Sequence, residues 1–187
     1  MRRGTDNRNI LEVFAEEFCK VVELHCRYII VSGFVAISTG RTRATEDIDM
    51  ILPRLDVKTF ELLHRGLTVA GFEAMQSDSA QTLFNDYLKD GLSIRYVKIG
   101  MALPEMEIKF SKDALDDYQL KTRVKIPLTG LDLWFSSISM NIAFKEEFLK
   151  SDKDLEDARH LRKVFEAEVN EDEINKVKSL IQRYRLT

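Results

Sequence analysis

Two aspartates one residue apart constrain this chain more than any other feature. They are Asp47 and Asp49, in the run Thr45-Glu46-Asp47-Ile48-Asp49-Met50-Ile51-Leu52. The run has the composition of a strand, in which side chains at i and i+2 share a face. Asp47 and Asp49 then project together, while Ile48 and Met50 point the other way, into a core. Two carboxylates held side by side repel each other unless a cation lies near them. A hard divalent ion such as Mg²⁺ suits oxygen donors and commonly carries a substrate's phosphates. Upstream, the apolar run Tyr28-Ile29-Ile30-Val31 closes on a small-residue step, Ser32-Gly33. The order strand, small-residue turn, short helix, Asp-x-Asp strand is that of a metal-dependent phosphoryl-transfer site.

Hydrophobic periodicity predicts the rest of the framework. A helix is expected over about 7–27, capped by Thr5 or Asp6, then a strand over 28–31, a helix over 34–39 and a strand over 47–52. A helix over 56–70 should turn Phe60, Leu62, Leu63 and Leu67 inward. A short helix is expected over 78–88. Residues 92–99 and 106–110 alternate as strands, and Gly100-Met101-Ala102-Leu103-Pro104 between them suggests a hairpin. A final short strand over 123–126 would end at Pro127. Beyond it the pattern predicts helices over 130–148 (capped by Thr129, with Trp134 and Phe135 on its core face), 152–167 and 171–184. The expected fold is α+β: a small mixed β-sheet with flanking helices plus a helical C-terminal region. Residues 1–127 would form a catalytic domain and 128–187 a helical one.

The stretch from Ser32 to Asp49 resembles the signature of nucleotidyltransferases of the DNA polymerase β superfamily, in particular the minimal nucleotidyltransferases and AbiEii-type toxin proteins. Their pattern is Gly-Gly or Gly-Ser, a small apolar helix, a Gly, then Arg-x-Thr-x-Asp-Ile-Asp. Here Ser32 replaces the first glycine, and Gly33, Gly40, Arg43, Thr45, Asp47 and Asp49 match. The resemblance implies a polymerase-β-like fold, a nucleoside triphosphate substrate, Mg²⁺ or Mn²⁺ bound by Asp47 and Asp49, and a third carboxylate on a nearby strand. Glu107 is the candidate for that third ligand and for the base, with Glu105 as its rival. The competing reading of Glu107 is an exposed side chain paired with Lys98 or Lys109.

Ser32, Gly33 and Arg43 are the candidate phosphate contacts, by hydroxyl, close backbone approach and charge respectively. The string Lys153-Asp154-Leu155-Glu156-Asp157 is similar to a Lys-Asp-x-x-Asp stretch of the AbiEii-type relatives, which puts Lys153 and Asp154 near the nucleotide. Those relatives carry a lysine where this chain has Asn141, and Lys145, one helical turn on, is the candidate replacement. The same run also reads as a solvated first helical turn capped by Ser151.

The acceptor hydroxyl is left open among an RNA 3′ end, a protein and a small molecule. An antitoxin-type partner is implied only by the toxin likeness, and a catalytically silent nucleotide- or partner-binding protein is the alternative function. A formal net charge of −3 supplies no global field for nucleic acid, although a local basic groove remains compatible with it. Arg95 and Lys98 are either acceptor-groove residues or the solvent face of a strand. Cys19 and Cys26, seven residues apart on a helix, are separated by roughly 10 Å along its axis, too far for a mutual disulfide. Reduced thiols, no signal-like h-region and no apolar run of membrane length lead to the expectation of a cytoplasmic protein with no membrane association.

Overall fold

The computed structural model describes residues 9–42 and 47–186. Five strands form one sheet: β1 (Ile29–Val31), β2 (Asp47–Leu52), β3 (Phe72–Ala74), β4 (Ile94–Lys98) and β5 (Glu105–Phe110). Their order is β1-β2-β5-β4-β3. β2 and β5 are parallel and the other pairs antiparallel. The expected hairpin is present as β4–β5. The fold is α+β, a mixed sheet with flanking helices.

Strand parity divides the sheet into two unlike faces. Ile48, Met50, Leu52, Ile94, Tyr96, Met106 and Ile108 face one way and are buried. Helices α1 (Ile10–Glu23) and α3 (Val57–Val69) cover them with Phe14, Phe18, Val22, Phe60, Leu63 and Leu67. Phe18 meets Phe72 and Tyr96 edge-on, at ring separations of 5.0 and 5.6 Å. Gly66 lets α1 come close, since a Cβ there would lie 3.0 Å from His25 Nε2 and 3.2 Å from Val21 Cγ1. The opposite face carries Asp47, Asp49, Glu105, Glu107 and Lys109. Its apolar part is a small patch of Ile29, Ile51 and Leu120.

The remaining helices are α2 (Gly33–Ser38), α4 (Ala80–Asp86), α5 (Ala114–Lys121), α6 (Ile138–Phe144), α7 (Asp152–Val164) and α8 (Glu171–Arg185). A π turn over Lys145–Leu149 continues α6.

Several expectations are corrected. α1 is capped by Asn9, whose side chain accepts from Leu11 N, with Glu12 completing a capping box; Thr5 and Asp6 lie outside the described residues. Leu62 is half exposed, on the outer face of α3. The helix expected over 130–148 begins only at Ile138, capped by Ser137. Before it, Leu131, Leu133 and Phe135 are buried while Asp132 points out. This is a period of two, which suits extended chain. Phe135 bridges to Ile30 and Val124, and that single bridge is all that forms of the strand expected over 123–126. Trp134, on the outward parity, is only partly buried. β3 and α5 were not expected. β3 is three residues long, and α5 is weakly amphipathic, so neither offers a long periodic signal.

Candidate active site

The acidic face is aligned by register. Asp47 lies beside Glu105, and Asp49 beside Glu107, in the parallel β2–β5 pair. Both candidates for the third carboxylate therefore sit on the face that carries the aspartates. Arg95, across from Glu107 on β4, draws both glutamates to itself. Its Nε donates to Glu107 at 3.1 Å and lies 3.5 Å from Glu105. Lys98 is on the opposite parity and pairs with Glu17 of α1, so Arg95 and Lys98 do not share a face.

Asp49 is the more enclosed aspartate. Burial pushes its carboxyl up. The Asp47 and Glu107 charges add to that, whereas Lys109 and the nearby Ser32 hydroxyl favour the ionised form. Ser32 has φ +66° and ψ −134°, a conformation that glycine adopts freely and that costs other residues about 1–3 kcal/mol. Its side chain does not cap α2. The turn sets Ser32 beside Asp49 on the cleft wall, and Gly33 begins α2, buried behind it. Arg43 lies outside the described residues.

A cleft of about 370 Å³ opens beside Asp49. Ser32, Asp49 and Lys109 form one wall, with Lys112, Asp116 and Gln119 next to them. Asn141, Phe144, Lys145 and Arg185 come from the C-terminal helices opposite. Asp47 and Glu107 flank Asp49 without lining the cleft.

The cleft's charged groups are largely paired. Arg185 Nη2 reaches Asp116 at 2.6 Å and Asp113 at 3.1 Å. Burial, reinforced by Asp113, pushes the Asp116 carboxyl up to about 7, with Lys109 opposing; the adjacent guanidinium also favours the ionised form. Desolvation lowers Arg185 to about 10. Lys145 is 1 % exposed and donates to buried Asp157 at 2.7 Å, with Asp154 at 3.5 Å. Asp157 also pairs with Arg41, which follows α2, and Arg41 reaches Glu156 at 2.5 Å.

The sequence-derived nucleotide set is thus only partly gathered. Ser32 and Lys145 line the cleft. Asp154 accepts from Ser151 at the start of α7. Lys153 is exposed, and its carbonyl accepts from Arg41 at 3.0 Å. Asn141 donates to the carbonyls of Ser136 and Ser137, both at 2.9 Å, bonds that tie it to the backbone before α6. Residues that the sequence reading left out are Arg41, Asp116, Asp157 and Arg185. Asp157 ends the Lys-Asp-x-x-Asp run, which was its only signal. Arg185, in the last turn of α8, has no motif around it.

Among the described residues, no three acidic, histidine or cysteine side chains converge closely enough to hold a metal ion. Asp47, Asp49 and Glu107 share a face and offer hard oxygen donors, which suits Mg²⁺ or Mn²⁺, but the bond to Arg95 occupies Glu107. Cys19 and Cys26 are free thiols. Burial pushes both up, Cys26 to about 11, as befits packing groups. No helix among the described residues is long and apolar enough to cross a membrane.

No family model matches the chain, and no curated protein matches it. Its fold is similar to solved nucleotidyltransferase structures. The solution structure of the antibiotic-resistance factor ANT(2″)-Ia shares 15% identity over 94% of each chain, with a TM-score of 0.55. The crystal structure of ANT(2″)-Ia with adenylyl-2″-tobramycin shares 17% identity over 94% of this chain and 97% of that one, with a TM-score of 0.50. An antigenic nucleotidyltransferase-like protein from Paracoccidioides brasiliensis shares 16% identity over 93% of this chain and 87% of that one, with a TM-score of 0.52. At these identities the likeness is one of fold.

Proposed function

We propose that this protein is a metal-dependent nucleotidyltransferase that moves a nucleoside monophosphate from a nucleoside triphosphate to a hydroxyl acceptor, releasing pyrophosphate. The observation that carries the reading is that Ser32 and Asp49 line one cleft, on a fold similar to that of nucleotidyltransferases. A strained small-residue turn there faces a carboxylate row.

Asp47, Asp49 and Glu107 would hold Mg²⁺ or Mn²⁺, and Glu107 must leave Arg95 to take part. The metal, when bound, supplies charge neutralisation for the attacking and leaving oxygens. Glu107 is also the candidate base for the acceptor hydroxyl. Ser32, Gly33 and Arg43 would contact the triphosphate, and Lys145, Lys153 and Asp154 would act from the C-terminal side. The acceptor is an RNA 3′ end, a protein or a small molecule. A neighbour's complex with adenylyl-2″-tobramycin illustrates the last class. A cytoplasmic setting fits the free thiols.

The second reading is a silent nucleotide- or partner-binding protein, such as one component of a toxin–antitoxin pair. Asn141 and Lys145 favour it, because the first is bonded to backbone and the second to Asp157.

Incubation with each α-labelled nucleoside triphosphate, Mg²⁺ or Mn²⁺, RNA, cellular protein and small hydroxyl acceptors tests both readings. Transfer is expected, and it should fall about a thousandfold in the double variant Asp47→Asn/Asp49→Asn with the thermal unfolding midpoint unchanged. Equal transfer by the double variant would sink the enzymatic assignment. Nucleotide binding without transfer to any acceptor would favour the silent protein.

A further inference from the structure

A second groove, of about 570 Å³, lies where α1 leads into β1. Arg27, Arg123, Lys125 and Trp134 line it, with His25 and a single carboxylate, Glu23. The Arg123 guanidinium lies 4.2 Å from the centre of the Trp134 ring, and the Lys125 ammonium 4.7 Å from it. Trp134 therefore holds two cations in place at one site. Burial lowers Arg123, and the positive charge of Arg27 lowers it further. This is a concentration of like charge that an anion would relieve. Glu23 accepts from the Tyr28 hydroxyl at 3.2 Å. The Lys125 partner, Asp132, is 92% exposed, and such surface pairs are worth little and exchange readily.

The groove is also close to the cleft. Gln119 lines the cleft and Arg123, four residues on, lines the groove, so the Cα atoms of these two lining residues are at most about 15 Å apart.

We propose that the groove formed by Arg27, Arg123, Lys125 and Trp134 binds the phosphodiester backbone of a single-stranded nucleic acid and leads its end toward the cleft beside Asp49. Binding to the groove stands by itself, while delivery to the cleft rests on the nucleotidyltransferase reading. Three cations against two carboxylates, the engaged Glu23 and the exposed Asp132, give the strand its local field, although the whole chain is acidic. An open groove also suits a continuing backbone better than an enclosed small anion.

Trp134 is the only tryptophan of the chain, so its fluorescence reports the groove directly. A 12-nucleotide single-stranded RNA titrated into the full chain should change that fluorescence saturably. Neutralising three phosphates predicts affinity about twentyfold weaker in 200 mM than in 50 mM salt. Arg123→Glu with Lys125→Glu should weaken binding at least about tenfold. The exposed Arg27→Glu, which leaves the Trp134 contacts in place, should weaken it by a smaller factor. Asp49→Asn should leave RNA binding intact while removing transfer, which separates failure of the groove from failure of the enzyme. No change in fluorescence, equal affinity for polyglutamate or inorganic triphosphate, or undiminished binding by the Arg27 variant would overturn the proposal.

Discussion

The two faces of the central sheet are made by the same strands and stabilised by different physics. On one face, Ile48, Met50, Tyr96 and Ile108 are sealed by the aromatic layer of α1 and α3, where burial and shape hold the structure. On the other, Asp47, Asp49, Glu105 and Glu107 stand in a row near Lys109, and Arg95 pairs with the two glutamates. The cleft next to them is walled by two further closed pairings, Arg185 with Asp116 and Lys145 with Asp157. The first face tolerates little change in volume, and the second little change in charge. A site for phosphate chemistry needs the second kind of surface, resting on the first.

Substitutions on the two faces should therefore fail in different ways. The largest expected loss of stability is on the core side. Phe18→Ala removes a fully buried ring between Phe72 and Tyr96 and should cost about 3–5 kcal/mol in denaturant unfolding. Next is Asp157→Asn, which leaves Lys145 buried opposite a neutral amide and takes a partner from Arg41. We expect a loss of about 3 kcal/mol. A loss below about 1 kcal/mol would show that water reaches this pair.

Asp116→Asn sharpens the comparison through pH. The fold holds the Asp116 carboxyl up to about 7, whereas in the unfolded chain it ionises near 4. Between these values the folded state binds the extra proton. The stability this group contributes is therefore full below about pH 4 and is lost as pH rises toward 7, at no more than about 1.4 kcal/mol per pH unit, with Arg185 reducing the slope. Unfolding midpoints across that window should fall less steeply in Asp116→Asn than in the parent. Equal slopes would mean that Arg185 keeps the carboxylate ionised throughout.

The smallest effect is expected at Ser32→Gly. It should relieve a positive-φ serine and add up to about 1 kcal/mol of stability, while removing the hydroxyl beside Asp49. Transfer should fall as stability rises, and a rise in both would remove Ser32 from the site.

Legibility in the sequence followed the range of the interaction. β2 was read to its ends, because Asp47 to Met50 alternates, Ile51 and Leu52 extend the apolar run and Pro53 stops it. The short helix after Ser32-Gly33 and the β4–β5 hairpin were read from local turn chemistry. The segment 130–137 was misread as helix because its apolar residues suit either period until Phe135 finds Ile30 and Val124. Arg95 was read as an acceptor-groove residue or as the solvent face of a strand, and its hold on Glu105 and Glu107 depends on register.

What the sequence determined by itself was the alternation that places Asp47 and Asp49 on one face, and the Ser-Gly step that precedes them. Both are consequences of backbone geometry within a few residues. Which charges meet was decided by the tertiary structure. Arg185 joins Asp116 across 69 residues, and Arg123 and Lys125 are gathered on Trp134 by the antiparallel bridge between Val124 and Phe135. Such pairings depend on where distant segments pack, and neither partner carries a local pattern that names the other.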